Sequence, residues 1–316
     1  MPWAKPSQKL PRTERTTMAI PSLQTAAVGR PINRLGISLF PIYLPVNTLP
    51  GIATGPSSGI TINELPAASV PHLMVTNPTD RPILLVEGEP LVGGQQNRTL
   101  NVSVLVPAGA TLKIPVTCLE AGRWGQNRNF ERGATFTPRR VRRTKQEAVA
   151  RSMAMASSRQ GDQGAVWGAI ATELEDFDVQ AATGAIADAD ERFQRDHHRA
   201  AAVEELARLG PLPGQCGVVV AHGPRVVAAE VFGAPDLLLP HWAALVRSHL
   251  LERPTAQGRT SATIALRLLN RFGTAESNDS AGIGLGIERH VRNDRITGQA
   301  LTLDDATVHA SVFNRH

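Results

Sequence analysis

Between residues 36 and 120 the chain repeats one pattern. Short runs of aliphatic and β-branched residues, GISLFPIYLP (36–45), ITINEL (60–65), HLMVTN (72–77), PILLVEGE (82–89), RTLNVSVLVP (98–107) and TLKIPVTCLE (111–120), are separated by Pro, Gly and Asn. Each run has the length and residue types of a strand, and the punctuation keeps them apart. A recurrence of about 10 to 14 residues suits an antiparallel sandwich or a jelly-roll-like sheet. Within it, VPAGATLKIPV reads as a tight hairpin bending at Pro107, Ala108 and Gly109.

After residue 123 the pattern changes. TPRRVRRTKQEAVARSMAMASSR (137–159) reads as a helix with Thr137 as N-cap and Pro138 in the first turn. QGAVWGAIATELEDF (163–177) reads as a second, and TGAIADADERFQRDHHRAAAVEELARLG (183–210) as one or two more, stopped by Gly210 and Pro211. GVVVAHGPRVVAAEVFG (217–233) is a hairpin about Gly223-Pro224. PDLLLPHWAALVRSHLLE (235–252) and SATIALRLLNRF (261–272) are amphipathic helices, and the C-terminal stretch is three antiparallel strands turning near Asn293 and Asp304. The expected fold is α+β. A basic tail, disordered, occupies 1–19. A single domain spans 20–316, strand-rich over 20–121, helical over 137–210 and mixed over 217–316, its last strands rejoining the first sheet.

Composition narrows the class. The apolar fraction of 42% suffices for a core, but aromatics are only 4% and Tyr occurs once, so the core must be aliphatic. No apolar run approaches the roughly 18 residues of a membrane span, and MPWAKPSQKLPRTERTT has no apolar signal-peptide segment. Two cysteines, Cys118 and Cys216, each in an apolar run, read as buried thiols, and the expected location is the cytoplasm. The histidines show no zinc-site spacing; His197-His198 reads as surface, His222 and His309 as isolated. The net charge of +5 is concentrated: residues 122–159 hold nine Arg and one Lys against Glu131 and Glu147. The run PRRVRRTK therefore reads either as a solvated face or as a docking segment for RNA or a protein partner through Arg139–Lys145.

One stretch is too polar for a simple hairpin. VEGEPLVGGQQNRTLNVSV (86–104) sets two carboxylates, three glycines, four amides and an arginine between apolar runs. On a strand, Glu87 and Glu89 share a face about 7 Å apart, a spacing that divides into acid and base or caps a strand end against Arg98. Gly93 and Gly94 either admit a phosphate or sugar to the backbone or bend a strand. Gln96, Asn97 and Arg98 suit ribose hydroxyls and phosphate oxygens, or else satisfy one another. Just past the next strand, Glu120, Arg123 and Trp124 offer an acid, an anion site and a stacking face, the alternative being that Trp124 covers the sheet edge. GIGLGIE (282–288) has glycines two apart, which fits close packing of a neighbouring element.

LLVEGEPLVGGQQNRTLNVSVLVPAGATLKIPVTCLEAGRW, with QGAVWGAI, TGAIAD, GVVVAHGPRVVAAEVFG and the terminal VHASVF in consistent order, resembles the ARG- and rhodanese/phosphatase-superfamily-associated protein domain, a bacterial and archaeal family. The matching residues include Glu87, Gly88, Glu89, Gln96, Asn97, Arg98, Cys118, Glu120, Arg123 and Trp124, whereas PRRVRR is not part of the family pattern. The resemblance implies a part in NAD or ADP-ribose metabolism. Joined to the chemistry of the polar stretches, it gives the expectation of an ADP-ribose- or NAD-related nucleotide-binding protein. Arg98 and Arg123 would take phosphates, Gln96 and Asn97 the ribose or base, and Trp124 would stack; Glu87 and Glu89 would be catalytic if it hydrolyses an ADP-ribose derivative, with Mg²⁺ as the candidate cofactor. The alternative is a non-enzymatic interaction protein whose polar block is structural.

Overall fold

The computed structural model describes residues 20–45, 49, 51–67, 69–122, 129–179, 184, 186 and 196–315. The expected N-terminal tail, Arg123 and Trp124 lie outside the described residues. Twelve strands come first: β1 (Ala27–Val28), β2 (Ile32–Arg34), β3 (Ile37–Tyr43), β4 (Ala53–Thr54), β5 (Thr61–Asn63), β6 (His72–Thr76), β7 (Ile83–Leu85), β8 (Pro90–Val92), β9 (Arg98–Leu100), β10 (Val104–Val106), β11 (Thr111–Cys118) and β12 (Glu131–Arg132). Helices α1 (Arg139–Ala156), α2 (Gln163–Asp176) and α3 (His197–Leu209) precede the hairpin of β13 (Gly217–His222) and β14 (Arg225–Phe232). Helices α4 (Trp242–Leu251) and α5 (Ala262–Gly273) lead into β15 (Asn278–Ala281), β16 (Ile287–Arg292), β17 (Ile296–Leu303) and β18 (Ala306–Asn314).

The result is an α+β fold with mostly antiparallel sheets. The largest runs β1-β3-β13-β14-β18-β17-β16-β15, with β2 also on β3. A second runs β12-β8-β9-β11-β6-β5, and a third, β10-β7-β4, contains the parallel pair β4–β7. The C-terminal strands thus share a sheet with the start of the chain through β3, while the repeated strands β5 to β12 build the smaller sheets.

Strand β13 shows why its sequence is apolar without alternation. Val218 and Val220 pack among Leu245 and Val246 of α4 and Val203 and Leu206 of α3. Val219 and Ala221 pack on Leu268, Leu269 and Phe272 of α5. Successive residues on a strand point to opposite faces, so a sheet covered on both sides needs an apolar residue at every position.

Several expected elements are altered. RTLNVSVLVP is not one strand: it breaks at 101–103, so that β9 pairs with β11 and β10 with β7. Asn101 holds the break, accepting from Thr117 Oγ1 at 2.6 Å and donating to the Arg159 carbonyl at 2.9 Å. The bend at Gly109 exists, with φ +66°, but its flanking strands go to different sheets, so VPAGATLKIPV is not a paired hairpin. The helix expected over 235–252 is interrupted by a 3-10 turn, Leu239–His241, because Pro240 cannot donate a helical hydrogen bond. Thr137 does not cap α1; its hydroxyl donates to Thr99 Oγ1 at 3.0 Å, and Pro138 stands at the helix start. Asp162, Asp196 and Ser261 do cap α2, α3 and α5, each accepting from a backbone N–H in the first turn. Gly284 and Gly286 press against the carbonyls of Leu105 and Thr302, the close packing read from GIGLGIE.

Candidate functional site

Glu87 and Glu89 are not on a strand. They flank Gly88 in a turn closed by Glu89 N–H donating to the Val86 carbonyl at 3.1 Å. Gly88 takes φ +79° there, and its carbonyl accepts from Thr137 N–H at 3.1 Å. The turn sends the two carboxylates to different partners, and both are buried, at 0% and 2% exposure.

Glu87 enters a cluster drawn from four elements. Its Oε2 accepts from Arg142 at 2.7 Å, Gln146 at 2.8 Å and Ser311 at 3.0 Å, and its Oε1 lies 2.6 Å from Lys145 Nζ. Arg142 also donates to both oxygens of Glu230 on β14, at 3.0 and 2.8 Å. Arg142, Lys145 and Gln146 stand at helical spacing i, i+3, i+4, so one face of α1 carries all three inward. Burial works to raise the Glu87 carboxyl, but Arg142 and Lys145 outweigh it and hold the group at about 2. Burial pushes the Lys145 ammonium down to about 8, against the pull of Glu87.

The same cluster contains an arrangement sequence reasoning did not find. His309 Nδ1 lies 2.8 Å from Ser103 Oγ, and His309 Nε2 lies 2.8 Å from Glu230 Oε1. Serine, imidazole and carboxylate in series resemble a nucleophile with its base and orienter. The context differs from such a site: Ser103, His309 and Glu230 are all at or below 2% exposure, and Ser103 Oγ already accepts from Glu87 N–H at 3.0 Å. The set is a satisfied buried network linking the β7–β8 turn, the break between β9 and β10, β14 and β18. His309 is therefore not isolated. Glu89 is held separately, by Arg132 and near His241, whose Nδ1 is 3.9 Å away.

The other expected residues divide. Gln96 is buried, donating to the Glu120 carbonyl at 3.0 Å and accepting from Arg98 at 3.2 Å and the Cys118 thiol at 3.1 Å. Arg98 and Glu120 are buried as well. Gly93 and Gly94 are packed against Asn129, Phe130 and Glu64. Asn97 lines a cleft, while its Oδ1 accepts from Gly93 N–H at 3.0 Å. Four cations of the basic run are paired within the fold: Arg139 bonds Glu252, Arg140 bonds Asp176, and Arg142 and Lys145 serve Glu87. Buried carboxylates require counterions, and α1 supplies them. Cys118 and Cys216 are free and buried, and His197 and His198 are exposed.

The cleft holding Asn97 encloses about 80 Å³ between β8, residues 133–138 and the end of α4. Pro90, Phe136 and Leu251 make it apolar; Asn97, Ser248 and Glu252 add polar groups. Glu252 Oε2 accepts from Arg139 Nε at 2.9 Å and lies 3.7 Å from His222 Nε2, whereas Oε1 is buried with no hydrogen-bond partner. Burial raises the Glu252 carboxyl, and Arg139 draws it back. Next to it, burial and the charge of Glu252 lift Glu173 to about 7. Both ring nitrogens of His222 and of His249 are likewise buried without partners. Burial holds these imidazoles neutral, down to about 4 and about 3. Unmet buried groups cost about 1–3 kcal/mol each, so this polar corner is an expensive place in the fold. None of Glu252, His222 and His249 stood out in sequence, because they come from a helix end and a hairpin tip that only folding joins. Among the described residues no group of three or more His, Cys, Asp or Glu gathers as metal ligands, and no helix is long and apolar enough to cross a membrane.

A family model described as the ARG and Rhodanese-Phosphatase-superfamily-associated Protein domain matches residues 25–313, and the chain belongs to that family. No curated protein and no solved structure matches it.

Proposed function

We propose that this member of the family is a binding protein for ADP-ribose or a related nucleotide, which presents its ribosyl part to the cleft at Glu252. One observation carries the reading: Glu252 lines an apolar cleft, and one of its carboxylate oxygens is buried with no hydrogen-bond donor. A vicinal sugar diol supplies such donors, and an acidic side chain on ribose hydroxyls is a recurrent way of holding a nucleotide. Asn97 and Ser248 add an amide and a hydroxyl, and Phe136 an apolar wall. Sites that enclose a whole drug-sized ligand run to about 300–1,000 Å³; at about 80 Å³ this cleft takes one moiety and leaves the rest of the nucleotide outside. In this reading Glu87 and Glu89 hold the frame and do not touch the ligand. We read that frame as sandwich-like, the large sheet and the β12-to-β5 sheet forming its layers and the cations of α1 tying Glu87 to Glu230.

Calorimetric titration of the full chain with ADP-ribose, NAD, ADP and ribose 5-phosphate tests the reading. Binding should require the ribosyl group, and Glu252→Gln should weaken it about tenfold or more while the melting temperature stays close to that of the parent. Absence of heat with all four ligands, or equal affinity in the variant, overturns it.

A further inference from the structure

A second surface carries an independent inference. Beside α5 lies a groove of about 570 Å³ lined by Arg225, Arg267 and Arg271 together with Val226, Ile264 and Leu268. None of the three guanidinium groups has a hydrogen-bond or ion-pair partner among the described residues. By contrast, Arg139, Arg140, Arg142, Arg159, Arg247 and Arg289 each bond a carboxylate. Arg267 and Arg271 are four residues apart on α5 and so lie one turn apart on one face, where like charges repel. Arg225 begins β14 and lines the same groove. Ile264, one turn before Leu268, is 41% exposed.

We propose that this groove binds a small phosphorylated molecule carrying at least two phosphate groups. The phosphates lie on the three guanidinium forks, and the apolar part of the molecule lies over Ile264 and Leu268. Guanidinium groups take phosphate oxygens in pairs through a planar fork, and a bound polyanion converts their mutual repulsion into attraction. The volume falls within the roughly 300–1,000 Å³ of small-ligand sites. A nucleic-acid track offers the same phosphates, but such tracks commonly make about 6–10 phosphate contacts, and three arginines are too few.

Titration of the full chain with inorganic pyrophosphate, with ADP and with a single-stranded RNA of about ten nucleotides, each at about 50 and 200 mM salt, tests the proposal. Pyrophosphate should bind, and the double variant Arg267→Gln, Arg271→Gln should lose about tenfold or more. Both side chains reach solvent, so the variant should fold, which its circular dichroism checks. Glu252→Gln should leave pyrophosphate binding unchanged, which separates this groove from the cleft. In the Glu252→Gln background, where the cleft no longer contributes, ADP should bind more tightly than pyrophosphate, and Ile264→Ser should remove the difference. Equal pyrophosphate affinity in parent and double variant overturns the proposal. So does RNA binding with no response to pyrophosphate, which would assign the arginines to nucleic acid.

Discussion

The Arg142 guanidinium lies against the backbone of Gly88, in the space a Cβ on that residue would occupy. The glycine between the two acids of VEGEP is therefore needed twice, once for its φ of +79° and once to let the counterion of Glu87 approach.

Gly88→Ala should destabilise the protein by about 3 kcal/mol or more, since left-handed backbone strain of roughly 1–2 kcal/mol adds to the displacement of a buried cation. Gly109→Ala is the control. It has φ +66° with nothing within 4 Å of the added carbon, so it should cost the strain alone. Urea unfolding of both variants measures the difference, and equal losses would refute the account.

Arg142→Leu should cost about 3–5 kcal/mol, because it strands Glu87 and Glu230 without their shared cation. Arg142→Lys should recover little, since one ammonium cannot reproduce a fork that meets two carboxylates. Chemical denaturation of the two variants decides this, and a fully stable lysine variant would show that charge alone matters.

Stability should fall as pH drops from 6.5 towards 4. Burial holds His222 and His241 at about 4 and His249 at about 3, below the ordinary 6.5. The unfolded chain takes up protons on these residues first, so their contribution is complete above 6.5 and is lost on acidification. Burial raises Glu173 to about 7 and also raises Glu252, which acts in the opposite sense, since the folded state then binds those protons first. Three histidines outweigh two carboxyls. Below 4.5 the depressed Glu87, held at about 2, extends the loss. Thermal melts across this range should show the decline, and His249→Asn should make it shallower by about one proton; rising stability on acidification would contradict it.

Cys118 and Cys216 should resist a thiol reagent in the native state and react together on unfolding. Burial is the main cause that raises both thiols and keeps the reactive thiolate scarce. Timed labelling with and without denaturant reads this directly, and rapid native labelling of either cysteine would count against the described packing.

Much of the element order is readable in the chain, because strands and helices obey local rules. GVVVAHGPRVVAAEVFG folds as the hairpin its glycine and flanking valines specify, and QGAVWGAIATELEDF forms α2. Family membership is legible too, from the EGE, QNR and VPAG stretches. Pairing is less so. RTLNVSVLVP looks like a continuous strand, yet Asn101 breaks it by bonding Thr117 and Arg159, partners 16 and 58 residues away. The basic run misleads for the same reason. Its charges look solvated until Glu87 and Glu230 arrive from elsewhere in the chain, although the i, i+3, i+4 set of Arg142, Lys145 and Gln146 between Val141 and Val149 was a readable sign of an inward polar stripe.

Local sequence chose where this backbone extends, coils and turns, since propensity, capping and glycine conformations act over a few residues. Folding in three dimensions chose which acid meets which base, and it brought Glu252, with one oxygen left unpartnered, to the lining of an apolar cleft. Charge pairing and desolvation depend on distance through space, and that distance exists only once the sheets and α1 have packed.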